Sequence, residues 1–259
     1  MCFLEVSVIC WWSIYPFHQR PKQHFSMLGF LPLVIEIGKY KPSNGNGRSK
    51  WDVRFLTRLN NIYTATKHDH RSTNKQYCLI QGREFEVPNG HLGWYPKMVF
   101  RFVDQLEAML THSRCVMVIR ADLHINGYTD KNKVLAMFWR RLGKKLKRKY
   151  ATLEIGYLWV REYEKAENKK QHYHLMLMVS KELIHYSGTV TTMIIDVWKG
   201  ITGTQAHIPE NCYYTVKRGD RVSFIESVKR MCYLAKSRGK GYRPPQTKDF
   251  GSSRLKIKS

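Results

Sequence analysis

Residues 153–179 constrain the fold most, because they contain two alternating apolar segments joined by a short polar link. In the first segment, residues 153–163, apolar side chains occupy alternate positions. The second segment, residues 172–179, begins with two histidines that flank a tyrosine. Successive side chains of a strand point to opposite faces, and two strands with so short a link pair as a hairpin. The sequence therefore predicts an antiparallel hairpin with both histidines on one face.

The two histidines, His172 and His174, are candidate metal ligands. Imidazole nitrogens are common ligands of divalent metal ions, and strand alternation places these two rings on the same side. Strand alternation places the side chain of Glu162 on the same face as the two rings, and the hairpin brings it beside them. Glu162 is therefore the predicted third ligand. On a neighbouring strand, the same alternation places the side chains of Asp122 and His124 on this face, so these two residues are alternative members of the site. The competing interpretation is a polar strand edge that binds no metal.

The periodicity of the other segments predicts the fold class. Apolar residues alternate in 117–125 and recur at helical spacing in 96–110 and 131–150. The order that results is β-α-β-β-α-β followed by a C-terminal helix, which is typical of a ferredoxin-like or RRM-like antiparallel sheet in the α+β class. Two crossover helices should cover one face and leave the histidine face available for a ligand or for the final helix. The remaining predicted elements are a short helix at 51–62, a helix at 189–198, a strand at 211–216 and the last helix at 221–236.

The chain divides into three regions. Residues 1–95 have no clear periodicity and an uncertain fold, residues 96–240 hold the predicted domain, and residues 241–259 are a basic tail. The apolar stretch at the start contains Glu5 and is too short to span a bilayer, so we expect no membrane association. Met27 is an alternative translation start, in which case residues 1–26 are not translated. The six cysteines have no paired spacing, which indicates reduced thiols in a cytoplasm.

The charge of the chain predicts a polyanionic partner. Lysines and arginines number 44 against 20 acidic residues, and the formal net charge is +24. Such an excess favours contact with nucleic acid. Cations also suit the C-terminal end of a helix, but the second half of the 131–150 helix carries more of them than that role requires. The predicted DNA-binding residues are Arg140, Arg141, Lys144, Lys145, Lys147, Arg148 and Lys229.

Tyr233 lies off the apolar arc of the last helix. It shares a helical face with Lys236, three residues later, whereas a tyrosine that only fills the core should lie on the apolar arc. A surface tyrosine that rests on the sheet edge is the alternative. Together with a metal, these residues suggest phosphodiester transfer, in which the tyrosine hydroxyl attacks a phosphate and forms a phosphotyrosyl link. Lys236 would stabilise the phenolate or the transition-state charge.

These residues resemble a known family. The stretch HYHLML is similar to the His-hydrophobic-His motif of HUH endonucleases, which include rolling-circle replication initiators, relaxases and related transposases. The closer resemblance is to inovirus-type replication proteins and their prophage-borne YagK/YfjJ-type relatives, and it covers roughly residues 96–254. The blocks that carry it are VMVIRADL near residue 117, YLWVRE at 157–162, HYHLMLM at 172–178, YLAK at 233–236 and FGSSR at 250–254.

The resemblance implies a metal-dependent DNA endonuclease and strand transferase that starts rolling-circle replication of a phage or prophage element. It implies that residues 96–240 form an HUH-type nuclease domain with His172 and His174 as ligands of Mg²⁺ or Mn²⁺ and with Tyr233 as the nucleophile. The implied partner is a single-stranded DNA origin in the cytoplasm of a bacterial host. The chain has no Walker-type motif, so a host helicase and replication machinery are expected. A non-catalytic RRM-like binder, a transposase and a relaxase remain alternatives.

Overall fold

Strands and helices alternate through the part of the chain that the structure, a computed structural model, describes: residues 60–151, 153–163 and 171–258. The α-helices are α1 (Pro96–His112), α2 (Lys133–Lys149), α3 (Ser187–Thr202) and α4 (Arg221–Leu234). Among the described residues, no helix combines the length and the apolar character needed to cross a membrane. The strands are β1 (Ile62–Thr64), β2 (Tyr77–Ile80), β3 (Arg83–Glu86), β4 (Cys115–His124), β5 (Ile155–Glu162), β6 (His172–Ser180), β7 (Ala206–His207), β8 (Tyr213–Lys217) and β9 (Phe250–Ser252).

The central sheet has six strands and is antiparallel throughout. Its order is β7-β4-β6-β5-β9, and β8 also pairs with β4. The predicted hairpin is present as β5 and β6, in which Glu162 is the partner of His172. On the other side of β6, Asp122 of β4 is the partner of His174. The fold is α+β, as predicted, and the register gathers the predicted site residues at one end of the sheet.

One face of the central sheet packs against α2 and α3. The odd-numbered residues of β6, among them Tyr173 and Leu175, point to this face. They meet Phe138 of α2 and Trp198 of α3, and all four side chains are almost completely buried. The two crossover helices therefore cover one face of the sheet, as predicted from the strand alternation.

The opposite face is covered over much of its length by α1 and α4, so the expectation of an open face needs a correction. Val118, Val160 and Met176 point to this side and belong to one buried core with residues of α1 and α4. Strand β4 is consequently buried on both of its faces. The final helix does lie on this face, as one of the two predicted options. The polar residues at the end of the strands lie beyond the apolar part that the helices cover.

A small second sheet, formed by β1, β2 and β3, extends this core. Strand β2 pairs in parallel with β1 and antiparallel with β3. Cys78 and Phe85 are buried in the same core as α1. The predicted helix at 51–62 is wrong at its end, because Ile62 begins β1, while 51–59 lie outside the described residues. Strands of three or four residues are too short for a readable alternation.

The N-terminal ends of α1 and α4 follow local rules of helix capping. Helix α1 begins at Pro96, where the missing N–H of proline has no helical partner to lose. Helix α4 begins after Asp220, whose side chain accepts hydrogen bonds from the backbone N–H groups of Val222 and Ser223. Both starts agree with the bounds predicted for these helices, 96–110 and 221–236.

Residues before α1 hold the chain that follows α4. Trp94 is buried, its backbone forms a bridge with Lys236, and its indole nitrogen donates to the carbonyl of Lys75 at 2.8 Å. The N–H of Tyr95 donates to the carbonyl of Ala235, also at 2.8 Å. Beyond this point the basic segment predicted as a tail contributes β9, which pairs with β5. The C-terminal end of α4 is therefore fixed from both sides.

Candidate active site

Three side chains with metal-binding atoms meet at the end of the β5–β6 hairpin. The Oε2 atom of Glu162 lies 3.7 Å from Nε2 of His172 and 3.4 Å from Nε2 of His174. One ligand atom of each residue lies within 4.8 Å of the others. Atoms that share one ion at about 2.1 Å lie roughly 3 to 4 Å apart, and both distances from Glu162 to the histidines fall in this range. The group of Glu162, His172 and His174 can bind a metal ion.

Asp122 holds the ring of His174 from the opposite side. Its Oδ1 atom lies 2.6 Å from Nδ1 of His174, and both of its oxygens accept hydrogen bonds from Arg120. Burial alone would raise the pKa of Asp122, but the contacts with His174 and Arg120 outweigh it and lower that pKa well below its ordinary value. The carboxylate is therefore ionised and acts as an acceptor. Asp122, predicted as an alternative site residue, orients one histidine of the group and does not belong to the group.

The second oxygen of Glu162 is bound by Lys240. Its Nζ lies 2.9 Å from Oε1 of Glu162, and the lysine side chain has an exposure of 0%. Gly239, at φ +77°, brings the backbone against Glu162, and a Cβ there would lie 3.3 Å from that of the glutamate. Burial raises the pKa of Glu162, but His174 and Lys240 outweigh burial and lower the pKa to about 2. Oε1 is thus engaged, and Oε2 faces the histidines.

Tyr233 and Lys236 lie beside this group. Lys236 Nζ is 4.7 Å from the centre of the Tyr233 ring and 3.7 Å from Oε2 of Glu162. Tyr233 has 49% of its surface exposed, although it belongs to a helix whose opposite side is buried. The structure therefore brings the predicted nucleophile and its lysine together with the predicted ligands. Tyr233 is thus a half-exposed residue next to a cation that itself contacts the candidate metal centre.

His124 lies at the edge of the site. Its ring is nearly parallel to that of His172, with the ring centres 5.5 Å apart. Partial burial, followed by the proximity of His172, lowers the pKa of His124, so the neutral ring is favoured. His124 is absent from the three-residue group within the described part of the chain. Its position supports His172 and gives no evidence for a fourth ligand.

Six of the seven predicted DNA-binding cations lie on α2, away from the candidate site, and Lys229 alone lies on α4. Those on α2 belong to the helix that packs on the opposite face of the sheet from Glu162 and His174. Lys145 forms an ion pair with Asp196 at 3.0 Å, while Lys229 on α4 lies 3.3 Å from Glu226. The structure therefore separates the α2 cations from the candidate metal centre. The remaining predicted cations of α2 are Arg140, Arg141, Lys144, Lys147 and Arg148.

Lys240 is the residue of the site that the sequence did not reveal. It follows α4 in a segment rich in glycine and lysine, where no periodicity predicts the path of the chain. A buried lysine needs an acidic partner, so the relevant signal would have been an acidic residue at the end of a nearby strand. Glu162 is that partner, but pairing the two requires the three-dimensional turn at Gly239.

Comparison with known proteins adds a family match. Residues 85–253 match the model of the YagK/YfjJ C-terminal domain. The matched region covers more than half of the chain and contains the metal-binding group, Tyr233, Lys236 and Lys240. Among curated proteins, the comparison finds none that matches the chain.

Proposed function

The chain belongs to the YagK/YfjJ C-terminal domain family, and from this premise we propose that it nicks and rejoins single-stranded DNA through a covalent tyrosine link. The observation that carries the proposal is the position of Lys236, between the Tyr233 ring and the oxygen of Glu162 that faces the histidines. A nucleophile, a cation and a candidate metal centre thus lie side by side. Phosphoryl transfer requires these three parts within reach of one phosphate.

In the proposed reaction the hydroxyl oxygen of Tyr233 attacks a phosphodiester of the DNA. The new bond joins this oxygen to phosphorus, and the bond that breaks releases a DNA hydroxyl, which takes up the proton that the tyrosine loses. Tyrosine is a weak nucleophile because its ordinary pKa is about 10. The ammonium group of Lys236 favours the phenolate and the negative charge that develops on the phosphate. Rejoining is the reverse step, in which a DNA hydroxyl displaces the tyrosine.

His172, His174 and Glu162 would hold a divalent ion, and we propose Mg²⁺ or Mn²⁺. Such an ion polarises a phosphoryl oxygen when it is bound. The protein's own contribution is to prepare the ligands. Asp122 fixes the ring of His174, and Lys240 occupies the oxygen of Glu162 that faces away from the histidines.

We propose that this reaction starts rolling-circle replication of a phage or prophage element in a bacterial cytoplasm. The substrate would be a single-stranded origin, and a host helicase with the host replication machinery would extend the released hydroxyl. The same chemistry would serve a transposase or a relaxase. A replication initiator would cut at one origin, and the released DNA hydroxyl would then be extended. A transposase would also join unrelated DNA ends, and a relaxase would act on a strand that is being transferred.

A non-catalytic RRM-like binder is less compatible with the arrangement of the layers. Such a protein uses a free sheet face with exposed aromatic side chains to stack bases. Here the face that carries the histidines is covered by α1 and α4 over its apolar part, while α2 and α3 cover the other face. The polar end of that face carries acidic and imidazole groups, of which His172 is partly exposed and Glu162 and His174 are buried.

The test is an adduct assay with single-stranded oligonucleotides and either Mg²⁺ or Mn²⁺. We expect a denaturation-resistant protein–DNA adduct from the natural protein and none from Tyr233→Phe, while DNA binding persists. Tyr242→Phe is the matched control, because Tyr242 also has 49% of its surface exposed and lies outside α4. An undiminished adduct from Tyr233→Phe, or loss of the adduct from Tyr242→Phe alone, would refute the assignment of the nucleophile.

A further inference from the structure

A groove lies between the first half of α1 and the C-terminal segment that contains β9. One wall carries Lys97 and Arg101, and the other carries Lys248, Arg254 and Lys256. Helix α1 packs on the same face of the central sheet as the candidate metal centre. The groove is therefore a basic surface on the side of the protein where the proposed reaction occurs.

Most of the cations in this groove are not neutralised. Arg101 pairs with Asp104 at 3.7 Å and Arg243 pairs with Asp249 at 2.8 Å, and the third acidic residue of the lining is Asp69. Within the described ranges, no ion pair with an acidic side chain involves Lys97, Arg254 or Lys256. Cations without acidic partners in one groove attract a polyanion strongly and release counterions when it binds.

One end of the groove is formed by residues that contact neighbours of the candidate site. Tyr95 lines that end and donates its N–H to the carbonyl of Ala235, the residue before Lys236. Phe250 lines the same end and is the sheet partner of Val160, two residues before Glu162. The proposed catalytic lysine and metal ligand are thus neighbours of the residues that begin the groove.

From that end, both walls run away from the site together. Helix α1 advances from Tyr95 to Gln105, a rise of about 15 Å. The other wall advances from Phe250 to Leu255, roughly 17 Å in extended chain. The two walls meet again at the far end, where the Gln105 side chain bonds both backbone groups of Leu255. The groove is consequently a track of defined direction with its cations along it.

We propose that this groove binds the phosphate backbone of the single-stranded DNA that flanks the scissile phosphate. This inference rests on the proposed function and deepens it by placing the substrate. It also assigns the backbone contacts to the groove in preference to the cations of α2. The groove begins at residues that contact Ala235 and Val160, close in the chain to Lys236 and Glu162, whereas α2 packs on the opposite face of the sheet.

Two charge-reversal variants with equal change of net charge test the proposal. The groove variant combines Lys97→Glu, Arg254→Glu and Lys256→Glu. The control variant combines Arg140→Glu, Lys144→Glu and Lys147→Glu, three exposed cations of α2. Binding of a labelled single-stranded oligonucleotide is measured by fluorescence anisotropy in EDTA over a range of salt concentrations, so that no cleavage occurs. Thermal unfolding of each variant checks that it is folded.

We expect the groove variant to lose more than about tenfold in affinity and its salt slope to fall by about 2, since three phosphate contacts are removed. The α2 variant should lose less than threefold. Equal losses in the two variants would mean that only overall charge matters, and a larger loss from α2 would place the DNA there. Either result overturns the proposal. The two proposals can fail separately. If the natural protein forms no adduct but the groove variant still binds DNA more weakly, the proposed reaction is refuted and the groove remains the DNA-binding surface.

Discussion

The Nδ1 atom of His174 donates a hydrogen bond to Oδ1 of Asp122 at 2.6 Å, and this contact decides which nitrogen of the ring faces Glu162. An ionised carboxylate accepts only, so the proton stays on Nδ1. Nε2 is then the nitrogen directed to the side where Oε2 of Glu162 lies, 3.4 Å away, and it is the ring atom that would bind the ion. A carboxylate behind a histidine commonly fixes a ligand ring in this way.

Asp122→Asn should weaken metal binding about 10- to 100-fold, because a neutral amide holds the imidazole less firmly and lowers its basicity. Calorimetric titration with Mn²⁺ measures the affinity directly and does not depend on cleavage. Asp196→Asn is the control, since Asp196 pairs with Lys145 on the opposite side of the sheet. An unchanged Mn²⁺ affinity in Asp122→Asn would show that this carboxylate has no role in preparing the site.

The double substitution of His172→Ala and His174→Ala should abolish metal-dependent cleavage and Mn²⁺ binding together. The physical reason is the loss of two of the three side chains that supply ligand atoms. His91→Ala with His185→Ala provides a matched control, because both histidines are exposed and lie outside the metal group and the groove. Equal activity of the two double variants would remove the metal centre from the proposal.

Lys240→Met should destabilise the metal-free protein by roughly 3 kcal/mol, because it leaves the buried carboxylate of Glu162 without its closest cation. Added Mn²⁺ should restore part of this loss, since a bound ion supplies the missing positive charge. Chemical unfolding with and without Mn²⁺ measures both effects, and Lys144→Met on exposed α2 is the control. Destabilisation to the same extent with and without Mn²⁺ would indicate that Lys240 only fills space.

Acid should destabilise the metal-free protein through Glu162. Its pKa is about 2 in the folded protein, against an ordinary value of about 4.3 in the unfolded chain. The resulting stability, roughly 2 to 3 kcal/mol, is fully present above pH 4.3 and is lost as pH falls through about 2. In EDTA and across this pH window, the free energy of unfolding should depend less steeply on pH for Glu162→Gln than for the natural protein. Glu154→Gln, at an exposed position, should keep the natural slope, and identical slopes in all three would contradict the prediction.

The sequence predicted the parts of the site that depend on periodicity. Strand alternation alone places His172, His174 and Glu162 on one face, and the register of β5 and β6 confirms it. Helical spacing likewise separates Tyr233 from the buried arc of α4. These patterns are local, because each follows from how a strand or a helix repeats.

Contacts between distant segments were not predictable in the same way. Lys240 reaches Glu162 through a turn at Gly239, and no repeat in the sequence marks that pairing. The cations of α2 are conspicuous in the sequence, yet their position on the opposite layer depends on how the helix crosses the sheet. Asp122 had the correct parity for a ligand, and only the side-chain geometry shows that it bonds the far nitrogen of His174.

The bridge between Trp94 and Lys236 sets a lower limit on the fragment that could carry the proposed activity. A protein shortened to begin at Pro96 would keep every predicted catalytic side chain and lose the strand-like contact that holds the lysine in place. The indole of Trp94 in turn donates to the carbonyl of Lys75, so these contacts extend back to the residues just before β2. Limited proteolysis that removes residues before Tyr77 should therefore release the end of α4 while leaving the central sheet folded.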